Sequence, residues 1–260
     1  MRDLIVSLPL PAIVALLFVF FSAVSLGARE FIRRRRDEEA REAASEQAKS
    51  LLTGVAATFA FFVGFAINVT WGAVTAGQMA VEQQAAAVHQ MAWELNNIAD
   101  RSQSSPLMDK LRVYATTVAD QDGEFLRKGN TAHLPSAVAL DAFENALHGY
   151  VNGSRAPQWQ VSTLVAGAST VSSASAAVEA VANRALPRPL ATLVVVVGVL
   201  ASIVMGVTTV VYRRATLIFV WCLIPAMSIA VVLALAYPFS TRSGVNLAPM
   251  RAVAQELAAS

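Results

Sequence analysis

The chain has 260 residues, 55% of them hydrophobic and 15% charged, with a formal net charge of +2. That is more apolar than the about 45–50% usual in a soluble domain, and nothing in it points to a nucleic-acid partner. The single cysteine, Cys222, excludes an intrachain disulfide.

The hydrophobic excess is concentrated in four runs, roughly 4–27, 51–75, 190–211 and 215–237, and none contains a charged side chain. Each is long enough to cross a hydrocarbon core of about 30 Å at ~1.5 Å per helical residue. The predicted fold class is therefore an all-α membrane protein. Four transmembrane helices carry an all-helical extracytoplasmic domain between the second and the third. The first run does not read as a cleaved signal peptide. Its apolar core is about twice the usual length, Pro9 and Pro11 sit early in it, and the arginines follow it.

Orientation follows from the basic residues. An arginine at the bilayer centre costs roughly 2.5–3.5 kcal/mol on insertion scales, so basic flanks stay in the cytoplasm. Loop 28–50 carries Arg29, Arg33, Arg34, Arg35, Arg36, Arg41 and Lys49, and Arg213-Arg214 separates the last two runs. Residues 76–100 contain no Lys or Arg. Both termini and segment 76–187 are thus predicted outside the cytoplasm. Loop 28–50 is itself helical in pattern, with Glu38, Glu39 and Glu42 at three- and four-residue spacings from Arg35, Arg36 and Arg41. This predicts a solvated hairpin. The sharper alternative is a clamp on anionic lipid.

The second run carries Ala56, Ala60, Gly64, Asn68, Gly72, Ala76 and Ala80 at every fourth position. Small residues at that spacing let another backbone approach closely, so this stripe is expected to pack against a helix. Gly198, Ser202 and Gly206 form a shorter stripe in the third run. Phe59, Phe61, Phe62 and Phe65 crowd the middle of the second run. Phe61 and Phe65, one turn apart, are the candidate apolar constriction of an oligomeric pore, against a plain role in packing or facing lipid. Asn68 is the strongly polar group of this span, and a buried amide there needs a partner.

Helical periodicity continues without a break through residues 77–99. The polar stretch Arg101–Ser105 and Pro106 predict its end, and a helix follows from Pro106 to about Ala119. Asp122-Gly123 predicts a turn, residues 124–134 an irregular stretch, and Ser136 the cap of a helix to about Tyr150. A last helix is expected from near Pro157 to about Leu186, with Pro187 and Pro189 before the third span. The predicted organisation is 1–75 (two spans and their basic loop), 76–187 (helical domain), 188–237 (two spans) and 238–260 (amphipathic extracytoplasmic tail).

Candidate chemistry is thin. Asp120-Gln121-Asp122-Gly123-Glu124 lacks the later ligands of a calcium loop and reads as an acidic turn. Asp141, Glu144 and His148 share a helix face, as metal ligands do, but an exposed ion-paired face is the expectation. No histidine pair, nucleophile elbow or phosphate loop is found. No cofactor, metal or catalytic residue is predicted.

Several strings together resemble a family of bacterial membrane proteins called bestrophin-like. Gly64-Phe65, five residues, then Trp71 is similar to the end of its second span. Val81-Glu82-Gln83-Gln84-Ala85-Ala86 follows, with glutamine where the family has a second glutamate. Tyr114-Ala115 with Val118 matches a further string. Near the end, Ala236-Tyr237-Pro238-Phe239-Ser240-Thr241 stands where the family favours Asp-Arg-Pro-Phe-Ser-Gly, followed by Val245 and a helix-like tail at 248–258. The resemblance spans nearly the whole chain and rests on the order and spacing of these strings. It implies two helices, a helical segment and two more helices, in a bacterial plasma (inner) membrane. True bestrophins are pentameric anion channels whose second span turns phenylalanines toward the pore. The similar positions here are Phe61 and Phe65. Their intervening domain is cytosolic, whereas charge places this one outside, and Thr70-Trp71-Gly72 lacks their basic-aromatic cluster.

The expected function is a non-enzymatic membrane scaffold, sensor or accessory subunit of a membrane complex. The alternative is a homo-oligomeric ion channel, of bestrophin-like anion type, with the second span lining the pore. Either reading implies lipid and further subunits as partners. An ion-coupled transporter is disfavoured, since the runs hold no ionisable group at mid-membrane.

Overall fold

A computed structural model of the chain describes residues 8–98, 101–153, 157–184, 186–212, 216–239 and 244–259. Arg2, Arg213, Arg214, Ser240, Thr241 and Arg242 lie outside the described residues. In chain order the helices are α1 (Leu10–Arg35), α2 (Glu38–Asn96), α3 (Arg101–Asp120), α4 (Asp122–Lys128), α5 (Pro135–Gly153), α6 (Gln158–Ala182), α7 (Arg188–Thr208), α8 (Thr216–Leu235) and α9 (Ala248–Ala259), with a 3-10 turn at Thr131–His133. The protein is all-helical, with no strand among the described residues. By length and composition α1, α2, α6, α7 and α8 are apolar enough to cross a membrane, α6 with the lowest mean hydropathy, 1.3 against 2.0–2.7 for the others.

The chain divides into two compact units, residues 1–72 with 185–236 and residues 73–184 with 237–260. In the first, α1, α7, α8 and the amino-terminal part of α2 pack around Phe21, Phe59, Val63, Ala66, Val194, Ile218, Cys222 and Ile229. The interior is rich in small residues, including Ser22, Ser25, Ser202, Ala201 and Ala226. Large apolar side chains such as Leu16, Val196, Leu200, Val220 and Ile224 point outward. This arrangement suits lipid, where large side chains gain nothing by turning inward and close backbone contact holds helices together. The Gly198, Ser202 and Gly206 stripe serves that contact. A methyl on Gly206 would run into the Ser25 carbonyl of α1, and one on Gly198 would meet Phe21, Phe59 and Ile229 at 3.3–3.4 Å.

The hairpin between α1 and α2 is tighter than a solvated loop, because α1 runs to Arg35 and α2 starts at Glu38. Arg41 donates to the carbonyls of Arg33 (2.6 Å) and Arg36 (2.8 Å), closing the carboxyl end of α1. Asp37 Oδ1 accepts the Ala40 N–H at 3.2 Å and caps α2. The ion pairs of this region are Arg33 and Arg34 on Glu30, and Lys49 on Glu46, rather than pairs of Glu38, Glu39 and Glu42 with Arg35, Arg36 and Arg41. On the facing helices, Ser45 donates to the Thr208 carbonyl at 2.8 Å and Arg29 to the Tyr212 carbonyl at 2.5 Å.

The second unit has a conventional aqueous-type core of Val81, Val88, Met91, Leu95, Leu111, Tyr114, Phe143, Leu164 and Val171. The carboxyl-terminal segment completes it with Phe239, Leu247, Met250, Ala254 and Leu257. α9 is amphipathic and tied down, with its Leu257 carbonyl accepting Arg112 Nε at 2.6 Å. The Val245 N–H donates to the Pro238 carbonyl at 2.8 Å, and Gly77 leaves room for Val245 on α2.

Four boundaries differ from expectation. α3 begins at Arg101 and contains Pro106 in its second turn, so the polar stretch expected to separate two helices is the opening of this one. Residues 124–134 are not irregular, because α4 occupies Asp122–Lys128 and closes on Gly129 at φ 68°, a left-handed conformation that suits glycine. Ser136 does not cap α5, because the helix starts at Pro135 and its Ser136 N–H is taken by Asp122. α6 stops at Ala182, four residues earlier than expected.

Two glycines test the packing. Gly206→Ala should force α1 and α7 apart and cost about 1–3 kcal/mol, the usual penalty of overpacking. Gly149→Ala in α5 meets no atom within 4 Å and should stabilise by up to ~1 kcal/mol. Thermal melting in detergent should separate the two by several degrees in opposite directions; equal melting points would contradict the close α1–α7 contact.

Candidate functional site

α2 is one uninterrupted helix of 59 residues. No proline interrupts it, and at ~1.5 Å per residue it extends about 88 Å. Within the first unit its buried side holds Phe59, Val63, Ala66 and Thr70. Thr70 satisfies its hydroxyl on the Ala66 and Ile67 carbonyls at 2.9 and 3.1 Å. The opposite side is vacant. Phe61 is 68% exposed and Phe65 52%. Ala60, Gly64, Asn68, Trp71 and Gly72 are exposed as well, while Ala56 is half-buried. A methyl added to Gly54, Gly64 or Gly72 would meet no atom within 4 Å. At about 100° per residue, Gly54, Phe61, Phe65, Asn68 and Gly72 fall within roughly 60° of one another. The small residues and the two phenylalanines therefore form one face, and no helix among the described residues of this unit covers it.

Asn68 lies on that exposed face and not in a core, so its amide is not a buried polar group. The Phe61 ring stands edge-on to Phe62, centroids 5.4 Å apart and planes at 75°. Phe62 in turn packs on the first unit's core. Phe61 is thus braced from behind while facing outward. In the second unit α2 likewise leaves Met79, Glu82 and Trp93 exposed.

The second unit contains a buried polar cluster that sequence reading did not assemble. Gln84 Nε2 donates to the Tyr114 hydroxyl at 2.8 Å, and both side chains are almost wholly buried. Burial pushes the Tyr114 phenol up, against hydrogen bonds from Ser175 and Gln84. Asp122 is buried and accepts the Ser136 N–H at 3.2 Å. Burial holds its carboxyl above the ordinary value, as it does that of Glu179, which the Asp122 charge raises further. The Gln84 Oε1 atom is buried with no protein partner among the described residues. Asp141, Glu144 and His148 do not converge with other ligands, and the described residues hold no group of three metal-binding side chains.

A protein-family model for the bestrophin-like domain matches residues 19–250. The chain belongs to the bestrophin-like family. Solved structures of a bacterial bestrophin homologue from Klebsiella pneumoniae share its fold. One gives a TM-score of 0.64 at 11% identity, covering 96% of this chain and 97% of that one. A single-residue variant of the homologue gives 0.69 at 12% identity, covering 94% and 95%. None of the curated proteins compared matches this chain.

The family strings of this bestrophin-like chain now have places. Gly64, Phe65 and Trp71 lie on the exposed α2 face, Glu82 is exposed, and Phe239 is buried in the second unit's core next to Pro238. Ser240 lies outside the described residues. Gln84 of the Val81–Ala86 string meets the tyrosine of the Tyr114-Ala115 string. Two motifs 30 residues apart are therefore one contact. The thirty-residue spacing carries no helical or strand period, so only the fold reveals it.

The raised carboxyls have a pH consequence. A group whose folded pKa lies above its unfolded value binds protons more tightly when folded. Stability is then greatest below the ordinary carboxylate range, about pH 4, and falls as pH rises through the shifted value. Asp122→Asn keeps the acceptor for Ser136 and removes the ionisation. The variant should melt with the wild type near pH 4 and higher than it at pH 7. A melting difference that does not change with pH would show that Asp122 carries no such penalty.

Proposed function

We propose that this bestrophin-like protein is one subunit of a homo-oligomeric ion channel whose axis is lined by the exposed face of α2. The observation that carries this reading is the vacant face itself. Glycine, alanine and asparagine at close helical spacing allow copies of α2 to approach one another. Phe61 and Phe65 then repeat around the axis as an apolar collar, and such collars gate by excluding water. The placement of phenylalanines on the second span agrees with the resemblance to true bestrophins. The scaffold or accessory reading leaves the same face to a foreign partner, and family and fold favour the channel. No enzymatic step and no cofactor enter this proposal.

In the bilayer we place four spans, α1, the first half of α2, α7 and α8, in a bacterial inner membrane. α6 has the lowest mean hydropathy of the five candidates, and its Leu164, Val171 and Val178 belong to the second unit's core. The run Arg33–Arg36 favours a cytoplasmic α1–α2 hairpin, which sets both termini and the second unit outside. That orientation is opposite to the cytosolic domain of true bestrophins.

Two measurements test these statements. In a detergent that preserves native contacts the wild type should have the mass of a closed ring, and liposomes containing it should pass chloride. Phe65→Ala should raise that flux about tenfold or more by wetting the collar. A monomer, or flux equal to that of empty liposomes, would remove the channel reading. For orientation, Cys222 is buried, so a single exposed cysteine is a clean reporter. Val138→Cys on α5 should react with an impermeant maleimide on spheroplasts, and Glu39→Cys in the hairpin only after lysis. The reverse pattern would invert the topology.

A further inference from the structure

We infer that the first unit holds an anionic diacyl phospholipid in a groove between α1 and α7, with Arg35 at its mouth. The groove has a volume of about 400 Å³ and is lined by Ala23, Gly27, Ala28 and Phe31 of α1 and Ile203 and Val207 of α7. Its α1 wall dips at Ala23, Gly27 and Ala28, which stand among the larger Val24, Phe31 and Ile32, and a methyl on Gly27 would meet nothing within 4 Å. The two helices cannot close over it by sliding together, since Gly206 already abuts the Ser25 carbonyl. The depression is therefore a fixed feature of their crossing.

Its shape and chemistry fit an acyl chain. From Ala23 to Phe31 the groove runs eight residues, about 12 Å at the helical rise, against the ~15 Å of one leaflet. It ends where α1 becomes basic. There the four arginines are not equivalent. Glu30 is occupied by Arg33 at 3.1 Å and Arg34 at 2.8 Å. Arg35 has no carboxylate partner among the described residues and lies over the Phe31 ring, 4.9 Å from its centroid. Phe31 and Arg35 are one helical turn apart, on the side of α1 that lines the groove. Stacking fixes the guanidinium at the groove's end, with its N–H donors open to a phosphate. An apolar channel of leaflet depth, ended by an unpaired guanidinium, matches the two halves of an anionic lipid. A soluble anion gains nothing from the channel, and a neutral lipid gains little from the arginine.

The test compares wild type with Gly27→Leu, Arg35→Gln and Arg35→Lys by native mass spectrometry in mild detergent, with phosphatidylglycerol or phosphatidylcholine added. The wild type should retain one phosphatidylglycerol per chain and prefer it over phosphatidylcholine roughly fivefold, the worth of one basic residue beside anionic headgroups. Gly27→Leu fills the groove and should lose both lipids. Arg35→Gln should lose the preference alone, and Arg35→Lys should keep it. Melting curves confirm that each variant is folded; should Gly27→Leu fail to fold, the two Arg35 variants still decide. Equal retention by wild type and Gly27→Leu, or no preference for phosphatidylglycerol in the wild type, would overturn the assignment. A drop in subunit number with Gly27→Leu would also overturn it, since the groove would then be a seam between copies.

Discussion

The long helix α2 sets the terms for the rest of the structure. Its 59 residues run through both units, supplying a wall to each core. Amide-to-carbonyl bonding inside one helix is also the only way a single segment crosses hydrocarbon with its backbone satisfied. Within the first unit, Phe59, Val63 and Ala66 on one side anchor it, and the side bearing Phe61, Gly64, Phe65 and Gly72 is left bare. That bare apolar face is the surface on which the proposed assembly rests.

The two units solve different solvation problems. In the first, Gly198, Gly206, Ser25 and Cys222 are inside while leucine, valine and phenylalanine face out, because lipid removes the reward for burying large side chains. In the second, Leu111, Phe143, Leu164 and Met250 are inside, and charged residues ring the surface, as water requires. Even so, the second unit carries Tyr114, Gln84, Asp122 and Ser175 in its interior. The Tyr114–Gln84 bond accounts for one donor, and Asp122 holds the first turn of α5 against α4. These contacts fix how helices meet, where apolar packing alone would leave some freedom to slide.

Much of this was legible in the amino-acid order, for identifiable reasons. Hydrocarbon demands long uncharged runs, so the runs 4–27, 190–211 and 215–237 show plainly, and α1, α7 and α8 overlap them at 10–35, 188–208 and 216–235. The continuity of α2 through residue 96 was visible in the unbroken period past Gly72, and the Phe61–Phe65 face in their four-residue spacing. What stayed hidden depends on partners distant in sequence. A seven-residue helix at Asp122–Lys128 has too few turns to display a period. Pro106 looked like a boundary because proline more often ends a helix than sits in its second turn. The stripe on α2 and the stripe on α7 read alike as small residues, yet Gly206 presses on Ser25 while Gly64 touches nothing. Only three-dimensional neighbours distinguish a used contact face from a vacant one. The charged hairpin differs for a local reason, since Glu30 lies three and four residues before Arg33 and Arg34 on the same helix and pairs with both.

The way the carboxyl-terminal segment closes the second unit bears on how the protein is made. Phe239, Leu247, Met250, Ala254 and Leu257 are synthesised after the rest of a core that begins at residue 76, yet they complete it. Two further apolar helices, α7 and α8, are synthesised between the halves of that core. The unit is therefore finished only after those helices have been made. Until then part of its apolar interior waits uncovered.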